Sequence, residues 1–209
     1  MSTLRERTPD ISVIIPVYNL EHHITPMLDS LASQDLGEYK AEIIFVLNNC
    51  TDDSEGVIRR SGIESTIINC TIQGCGPARN AALDIATGEY VWFMDGDDWL
   101  LSDTAIRDCM DKVRTERLNI LRVPFRSETF RQMYFSMVWQ YVMRMEFVKE
   151  FRFPEYQPSE DDAYMRQVLY KAGVNNHMTL PHMARPLYLY NYMRDGSNMY
   201  RHAVLGEKI

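Results

Sequence analysis

The chain has 209 residues, of which 45% are hydrophobic and 24% are charged. This length fits one domain with a substantial core, and this composition excludes a disordered chain. Asp and Glu together number 29 against 22 Lys and Arg, and the resulting net charge of -7 disfavours nonspecific binding to nucleic acid or to anionic lipid.

Three features of the sequence bear on where the protein works. No run of about 18 apolar residues is present, so we expect no transmembrane segment. The N-terminal segment 1–7 is polar in character and leads directly into a predicted strand, so we expect no export signal. The four cysteines form neither a metal-type pair nor a dense disulfide framework. We therefore expect a cytoplasmic protein whose cysteines are reduced thiols.

The first half of the chain alternates between strand and helix signals. Apolar β-rich runs predict buried strands, and runs with helical spacing of apolar residues predict the helices between them. Helical crossovers between strands imply a largely parallel sheet. In chain order the predicted elements are a strand at 11–18, a helix at 21–34, a strand at 41–47, a short helix ending at 60, a strand at 65–69, a helix ending at 86, a strand at 90–94, a helix at 102–117 and a strand at 119–125.

The second half of the chain changes in character. A stripe of apolar residues predicts a helix over 132–150. The segment 151–158 is aromatic and contains proline, which favours a loop or an irregular strand. A helix at 160–172 and a late strand at 186–192 complete the prediction. We expect a nucleotide-binding sheet followed by a smaller portion that shapes the substrate site, without a second independent domain.

An acidic turn follows the predicted strand at 90–94. Ligands of open parallel sheets bind beyond the carboxyl ends of the strands. Asp95 and Asp97 are two residues apart at such an end, so both carboxylates can face one crevice and bind a divalent cation together with substrate phosphates. Gly96 between them allows a close approach of backbone or phosphate. The alternative is a loop that caps the next helix, because acidic residues favour helix N-termini. Its position after a buried strand favours the metal site.

Two further motifs have a functional and a purely structural interpretation. A helix that begins near Gly76 could present its N–H groups to a phosphate, with Arg79 adding positive charge, or it could be an ordinary helix with a surface arginine. The acids at 160–162 could include a general base, or they could be a solvated helix N-terminus. Neither a Walker-type loop nor a GxGxxG motif occurs, so ATP hydrolysis and NAD binding lack support.

Four groups of segments resemble, in the same order, the inverting glycosyltransferase family 2. The resemblance implies the GT-A fold, an α/β fold with a mostly parallel central sheet flanked by helices, in a single domain at 9–205. Its nucleotide-sugar-binding half would lie at about 11–125 and its acceptor half at about 126–205. The matching segments are 11–19; then 76–83, 86–91 and 93–98; then 146–147, 151–155 and 160–162; and finally 186–190 with Arg194 and 196–197.

The same resemblance implies a role for each matching residue. Asp97, helped by Asp95, would hold Mn²⁺ or Mg²⁺ against the diphosphate of a nucleotide-sugar donor. Asp161 would be the base that deprotonates the acceptor hydroxyl, with Glu160 as the alternative. The residues implied for binding the nucleotide sugar are Pro16, Val17, Tyr18, Asn19, Asn48, Arg79, Asp95 and Gly96.

One position departs from the family pattern. Many members carry an acidic pair after the second strand, and its first acid contacts the nucleotide base. Leu47 occupies that place here and leaves Asn48 as the nearest polar residue. An amide both donates and accepts, whereas a carboxylate only accepts, so the usual uracil contact is in doubt. A UDP-sugar remains the expected donor, and a non-catalytic nucleotide-sugar-binding relative remains an alternative.

The resemblance implies a specific class of reaction but does not identify the acceptor. A sugar-phosphate nucleotidyltransferase is rejected, because the glycine-rich loop of that class is missing after the first strand. A hydroxyl of a glycan or glycoconjugate is the favoured acceptor, and a modified DNA base, the acceptor of some viral members, is the alternative. The sequence leaves open whether the chain forms a homo-oligomer.

Overall fold

The computed structural model describes residues 8–127, 137–155, 160–174 and 180–191. The strands within this part are β1 (Ile11–Val17), β2 (Ala41–Asn48), β3 (Thr66–Cys70), β4 (Tyr90–Phe93), β5 (Trp99–Leu100), β6 (Ile120–Arg122), β7 (Phe125–Arg126), β8 (Tyr141–Arg144) and β9 (Tyr188–Leu189). The helices are α1 (Thr25–Ala32), α2 (Ser54–Arg60), α3 (Cys75–Leu83), α4 (Ala105–Thr115), α5 (Met145–Val148) and α6 (Glu160–Lys171), with a 3-10 turn at Val138–Gln140.

A six-stranded sheet forms the centre of the molecule, in the order β3-β2-β1-β4-β8-β6. The pairs β1–β2, β1–β4 and β2–β3 are parallel, whereas β8 runs antiparallel to both β4 and β6. Every residue of β1 is buried, as expected for a central strand that is covered on both faces. The predicted largely parallel sheet is therefore confirmed, with β8 as the antiparallel exception.

The two faces of this sheet carry separate hydrophobic cores. Along β1, Val13 belongs to one core and Ile14 to the other, as the two-residue period of a strand requires. The buried side chains of α1, α2 and α4 belong to the first core, and those of α3 and α6 belong to the second. The helices α3 and α6 thus share one face of the sheet, which brings residues about 80 positions apart in sequence next to each other.

A second, three-stranded sheet has the order β5-β9-β7. β9 pairs antiparallel with β5 and parallel with β7. Because β5 follows the acidic turn directly, this sheet ties the turn to the late part of the chain. Within the described residues, no helix combines the length and the apolar character needed to cross a membrane.

The predicted helix at 132–150 is wrong over most of the part that the structure describes. Residues 138–140 form the 3-10 turn, β8 follows, and only the short α5 is α-helical. The reason is tertiary pairing: β8 lies between β4 and β6, and both of its faces are buried. A strand buried on both sides is continuously apolar, and periodicity alone does not distinguish it from a buried helix. Residues 132–136 of this prediction lie outside the described part.

Smaller differences concern the ends of elements. The strand predicted at 119–125 is two strands, β6 and β7, interrupted at Pro124, which has no N–H to donate to a sheet. The late strand predicted at 186–192 is limited to β9 among the described residues. The helix predicted at 160–172 is confirmed as α6.

Candidate active site

The acidic turn lies at the carboxyl end of β4. The strand is extended by a hydrogen bond from the Met94 N–H to the Ile14 carbonyl, and the turn is closed by one from the Asp98 N–H to the Asp95 carbonyl. Gly96 sits at the tip, where a Cβ would lie 2.6 Å from Cδ1 of Leu20. A side chain at this position would therefore require the Leu20 side chain to move, and glycine lets the turn pack closely under the loop that follows β1.

Arg79 connects this turn to the acids at the start of α6. Its side chain is 3% exposed. Nη2 donates to Oδ1 of Asp95 over 2.8 Å, and Nη1 donates to Oδ1 of Asp161 over 2.6 Å and to Oε1 of Glu160 over 3.1 Å. The alternative of a surface arginine is therefore wrong. The predicted metal acid, the predicted base and the predicted nucleotide contact meet around one guanidinium.

The charges of this cluster depend on one another. The pKa of Asp161 is raised to about 7: burial raises it most, the nearby Arg79 lowers it, and the like charges of Glu160 and Asp95 add to the rise. Burial alone would lower the pKa of Arg79, but Asp161 and Asp95 hold it well above its ordinary value. Oδ2 of Asp161 also accepts the Val138 N–H over 3.1 Å. Asp161 is thus fixed in place, and its pKa is close to that of a general base that works at neutral pH.

A second network holds the acidic turn from the side of β9. The Tyr188 hydroxyl donates to Oδ2 of Asp98 over 2.6 Å and accepts the Asp95 N–H over 3.0 Å. The Asn191 N–H donates to Oδ1 of Asp98 over 2.7 Å, and the Asn191 amide donates to the Asp97 carbonyl over 3.2 Å. Both oxygens of the buried Asp98 therefore have partners inside the protein. Asp98 shapes the turn, and Asp95 and Asp97 are left as its two partly exposed carboxylates.

Sequence reasoning missed the roles of Tyr188 and Asn191. The sequence predicts Tyr188 and Asn191 only as parts of the late strand at 186–192, with no role at the site. A tyrosine in a short buried strand needs a partner for its hydroxyl, which is a signal that such a residue anchors something polar. The identity of that partner depends on how β9 pairs with β5, which the sequence does not show.

The residues at the end of β1 that are predicted to bind the nucleotide differ in their exposure to solvent. Pro16 and Val17 are buried within the strand, whereas Tyr18 is 37% exposed. Asn19 adopts a left-handed backbone with φ of 49°, and its Oδ1 accepts the Thr51 N–H over 2.8 Å. Tyr18 is therefore the exposed side chain at this edge, while Asn19 fixes the loop against the one that follows β2. Their assignment to the nucleotide stays a prediction.

Asn48 is buried and bonded to the backbone on both sides of its amide. Its Nδ2 donates to the carbonyls of Cys70 and Ile72 over 3.1 and 2.7 Å, and its Oδ1 accepts the Gly74 N–H over 2.8 Å. This side chain ties the ends of β2 and β3 to the start of α3. Both of its amide hydrogens are used, so any contact with a nucleotide base would have to use its remaining acceptor capacity.

Leu47 lines a cleft of about 150 Å³ beside the ends of β2 and β3, together with residues such as Asn69 and Thr71. The Leu47 side chain is almost fully buried. None of the residues predicted to bind the metal or to act as the base lines this cleft. The position at which the resemblance implies an acid is therefore occupied by an apolar side chain that packs in the core.

The carboxylates of the turn fit a divalent cation that is shared with a substrate. Within the described residues, no group of three or more His, Cys, Asp or Glu side chains could hold a metal ion by itself. Two carboxylates that rely on phosphate oxygens to complete the shell are a common arrangement for Mg²⁺. In addition, Nε of Arg79 is buried and has no hydrogen-bond partner in the described part of the chain, so the guanidinium retains a donor for a further acceptor.

The sequence and the fold are both similar to known proteins. The family model described as "Glycosyl transferase family 2" matches residues 12–175. The chain is 38% identical over 102 residues to the poly(ribitol-phosphate) beta-glucosyltransferase of Bacillus spizizenii. That alignment covers 46% of this chain and 16% of the relative, so the chain spans about a sixth of the length of that protein.

Two solved structures share the fold. TarS 1–349 of Staphylococcus aureus, in complex with UDP-GlcNAc, matches with a TM-score of 0.79 and 23% identity, over 91% of this chain and 60% of that one. The mannosyltransferase PcManGT of Pyrobaculum calidifontis, in complex with GDP-Man and Mn²⁺, matches with a TM-score of 0.70 and 18% identity, over 94% of this chain and 61% of that one. The predicted GT-A fold is thereby confirmed.

Proposed function

The chain belongs to glycosyl transferase family 2, and from that premise we propose that it moves a sugar from a nucleotide-diphosphate sugar to an acceptor hydroxyl, with inversion at the anomeric carbon and with the help of a divalent cation. A UDP-sugar is the proposed donor, and a hydroxyl of a glycan or glycoconjugate is the proposed acceptor. TarS, a structural relative, binds UDP-GlcNAc, and the Bacillus relative is named for a poly(ribitol-phosphate) acceptor.

The observation that carries this proposal is the bridge that Arg79 makes between Asp95 and Asp161. A transferase needs a site for the diphosphate and a base for the acceptor within the length of one sugar. The guanidinium fixes a carboxylate of each kind to opposite sides of one planar group. The mostly buried Asp161, whose pKa is raised to about 7, supports a catalytic protein over one that only binds nucleotide sugars.

In the proposed reaction, Asp161 accepts the proton of the acceptor hydroxyl while that oxygen forms a bond to the anomeric carbon. The bond from this carbon to the β-phosphate oxygen breaks, and its electron pair leaves with the nucleoside diphosphate. Attack from the side opposite the leaving group inverts the anomeric centre. Arg79 keeps Asp161 oriented until the hydroxyl arrives, and Glu160 is the alternative base.

Asp97 and Asp95 are the proposed ligands of Mn²⁺ or Mg²⁺, whose chemistry at this place is to neutralise the charge that builds up on the leaving diphosphate. Tyr18 is the proposed neighbour of the nucleotide, together with the end of β1. Leu47 leaves the nucleobase of the donor open, because it replaces the acid that the resemblance implies for contact with uracil. A guanine nucleotide is the alternative, since the structural relative PcManGT binds GDP-Man. A cytoplasmic location stays a prediction.

A donor panel tests this proposal without knowledge of the acceptor. UDP-, GDP-, CDP- and dTDP-sugars are each incubated with the protein and Mn²⁺, and the release of free nucleoside diphosphate is measured. We expect release from one or a few donors, and we expect EDTA to abolish it. If no nucleoside diphosphate binds in the presence of Mn²⁺ and no donor is turned over, the transferase proposal is wrong.

A further inference from the structure

Asn80 clamps the segment that precedes α6. It follows Arg79 in α3, and its side chain makes two hydrogen bonds with the backbone of one residue. Nδ2 donates to the Phe153 carbonyl over 2.8 Å, and Oδ1 accepts the Phe153 N–H over 2.9 Å. Phe153 is buried, so both of its backbone polar groups need partners inside the protein. The Asn80 amide thus makes the two hydrogen bonds that a neighbouring strand would otherwise make with the backbone of Phe153.

The ring of Phe153 connects the segment held by Asn80 to α6. It stacks on Tyr164 with the ring centroids 3.9 Å apart and the planes 4° from parallel, and it meets Phe93 edge-on at 5.2 Å. Tyr164 lies in α6 three residues after Asp161, which is close to one helical turn. Phe93 is the last residue of β4, just before the acidic turn. The aromatic trio therefore joins the strand that leads to Asp95 with the helix that carries Asp161.

The start of α3 packs closely against the same segment, residues 151–155. A Cβ on Gly76 would lie 2.7 Å from the Pro154 carbonyl oxygen and 3.5 Å from Cβ of Glu160. One face of α3 therefore makes three contacts with the acceptor side of the site. Gly76 approaches the Pro154 backbone, Arg79 binds the carboxylates of Glu160 and Asp161, and Asn80 binds the Phe153 backbone. The bond to Phe153 fixes backbone geometry, which the ion pairs of Arg79 alone do not.

We propose that Asn80 is a positioning residue for Asp161. It touches none of the reacting groups, and it acts by holding Phe153, on which Tyr164 of α6 stacks one helical turn after Asp161. This inference rests on the proposed function, in which Asp161 takes the acceptor proton. A base must lie within hydrogen-bond reach of that proton. A misplacement of about 1 Å at such a site lowers the rate by roughly 100-fold.

The test compares Asn80→Ala and Asn80→Asp with the control Asp84→Asn. Asn80→Asp keeps the shape of the side chain and the acceptor for the Phe153 N–H, but loses the donor to the Phe153 carbonyl. Asp84 lies just after α3 and makes an exposed ion pair with Arg152 of the same segment, so its replacement removes another contact between α3 and this segment. Turnover is measured as UDP released from the UDP-sugar that the wild type uses, and binding is measured by titration with UDP and Mn²⁺.

We expect Asn80→Ala to lower kcat by roughly 10- to 100-fold, with KM for the donor and the affinity for UDP changed by no more than about twofold. Asn80→Asp should lower kcat at least as far, because a carboxylate oxygen then faces the Phe153 carbonyl, and it serves as the second test if the alanine variant does not fold. Asp84→Asn should leave kcat unchanged. Amide hydrogen exchange in residues 151–155 should accelerate in Asn80→Ala, which reports the clamp independently of turnover.

Three outcomes overturn the inference. The first is full kcat in a folded Asn80→Ala. The second is an equal loss in Asp84→Asn. The third is a parallel loss of UDP binding and kcat, which marks Asn80 as part of the general scaffold. A wild type that binds UDP with Mn²⁺ and turns over a donor, alongside an Asn80→Ala with full kcat, refutes the positioning role and leaves the proposed function standing. A wild type that neither binds nor turns over any donor refutes both.

Discussion

Replacing Arg79 with lysine keeps the charge at the centre of the site and removes the geometry of the guanidinium. In the wild type, Nη1 serves Asp161 and Glu160 while Nη2 serves Asp95. A lysine ammonium is one point of charge on a flexible chain, and it lacks the two-sided donor set that spans these carboxylates. We therefore expect Arg79→Lys to keep the bonds on one side of the bridge and to lose those on the other.

The expected cost follows from the bonds that are lost. Hydrogen bonds to charged groups contribute about 1.5–3 kcal/mol each, and the carboxylates lie mostly out of solvent, at 15–28% exposure. The loss of one or two such bonds should reduce the free energy of unfolding by about 3 kcal/mol. For a chain of this size, 1 kcal/mol lowers Tm by roughly 2–4 °C, so the midpoint should fall by roughly 6–12 °C.

Urea unfolding with linear extrapolation measures this loss, and a thermal scan checks the shift in Tm. The matched control is Arg59→Lys, because Arg59 pairs with Glu55 on the surface of α2 and is 63% exposed. Exposed pairs of this kind contribute about 0.5 kcal/mol or less. If Arg79→Lys costs no more than Arg59→Lys, the bridge does not hold the two sides of the site together and the reasoning about it fails.

Three further predictions concern the reaction and its acidic turn. Asp97→Ala should abolish transfer and weaken Mn²⁺-dependent UDP binding, whereas Asp161→Asn should abolish transfer and leave that binding in place; full turnover by Asp161→Asn would contradict the base assignment. Burial raises the pKa of Asp161 to about 7, so its base form is lost as the pH falls through that value. The kcat/KM should therefore drop about tenfold per pH unit on the acidic side, and a flat profile between about pH 5 and pH 9 would exclude this carboxylate as the titrating base. Tyr188→Phe leaves the buried Asp98 short of a donor and should cost about 1–3 kcal/mol in urea unfolding, so an unchanged unfolding midpoint would show that the hydroxyl contributes nothing.

The sequence predicts the first half of the fold well because its signals there are local. β1, β2 and β4 are short apolar runs separated by helices, and the loops that follow them carry the polar residues. The position of Asp95 and Asp97 beyond β4 follows from the same pattern. The proximity of Asp95 to Asp161 does not follow from that pattern, since the two residues are more than 60 positions apart in the chain.

The second half is predicted less well because pairing between distant strands decides it. Tyr141 and Met143 face one core and Val142 faces the other, so β8 has no polar face to reveal its period. The bridge made by Arg79 was likewise invisible, because a surface arginine and a buried one look the same in sequence. Only the contact between α3 and α6 distinguishes them.

The attachment of the acidic turn to β9 determines how this protein can be divided. All the predicted donor-binding residues lie in the first half of the chain, so residues 11–125 look like a transplantable module. Yet the hydroxyl of Tyr188 and the backbone of Asn191 supply both partners of the Asp98 carboxylate. A fragment or a chimera that ends before β9 would keep both carboxylates proposed to bind the metal and lose the hydrogen bonds that hold their turn in shape. The turn of the proposed donor site is therefore held by residues from both ends of the described chain, and a swap of the proposed donor site between relatives has to carry the late strand along with the early sheet.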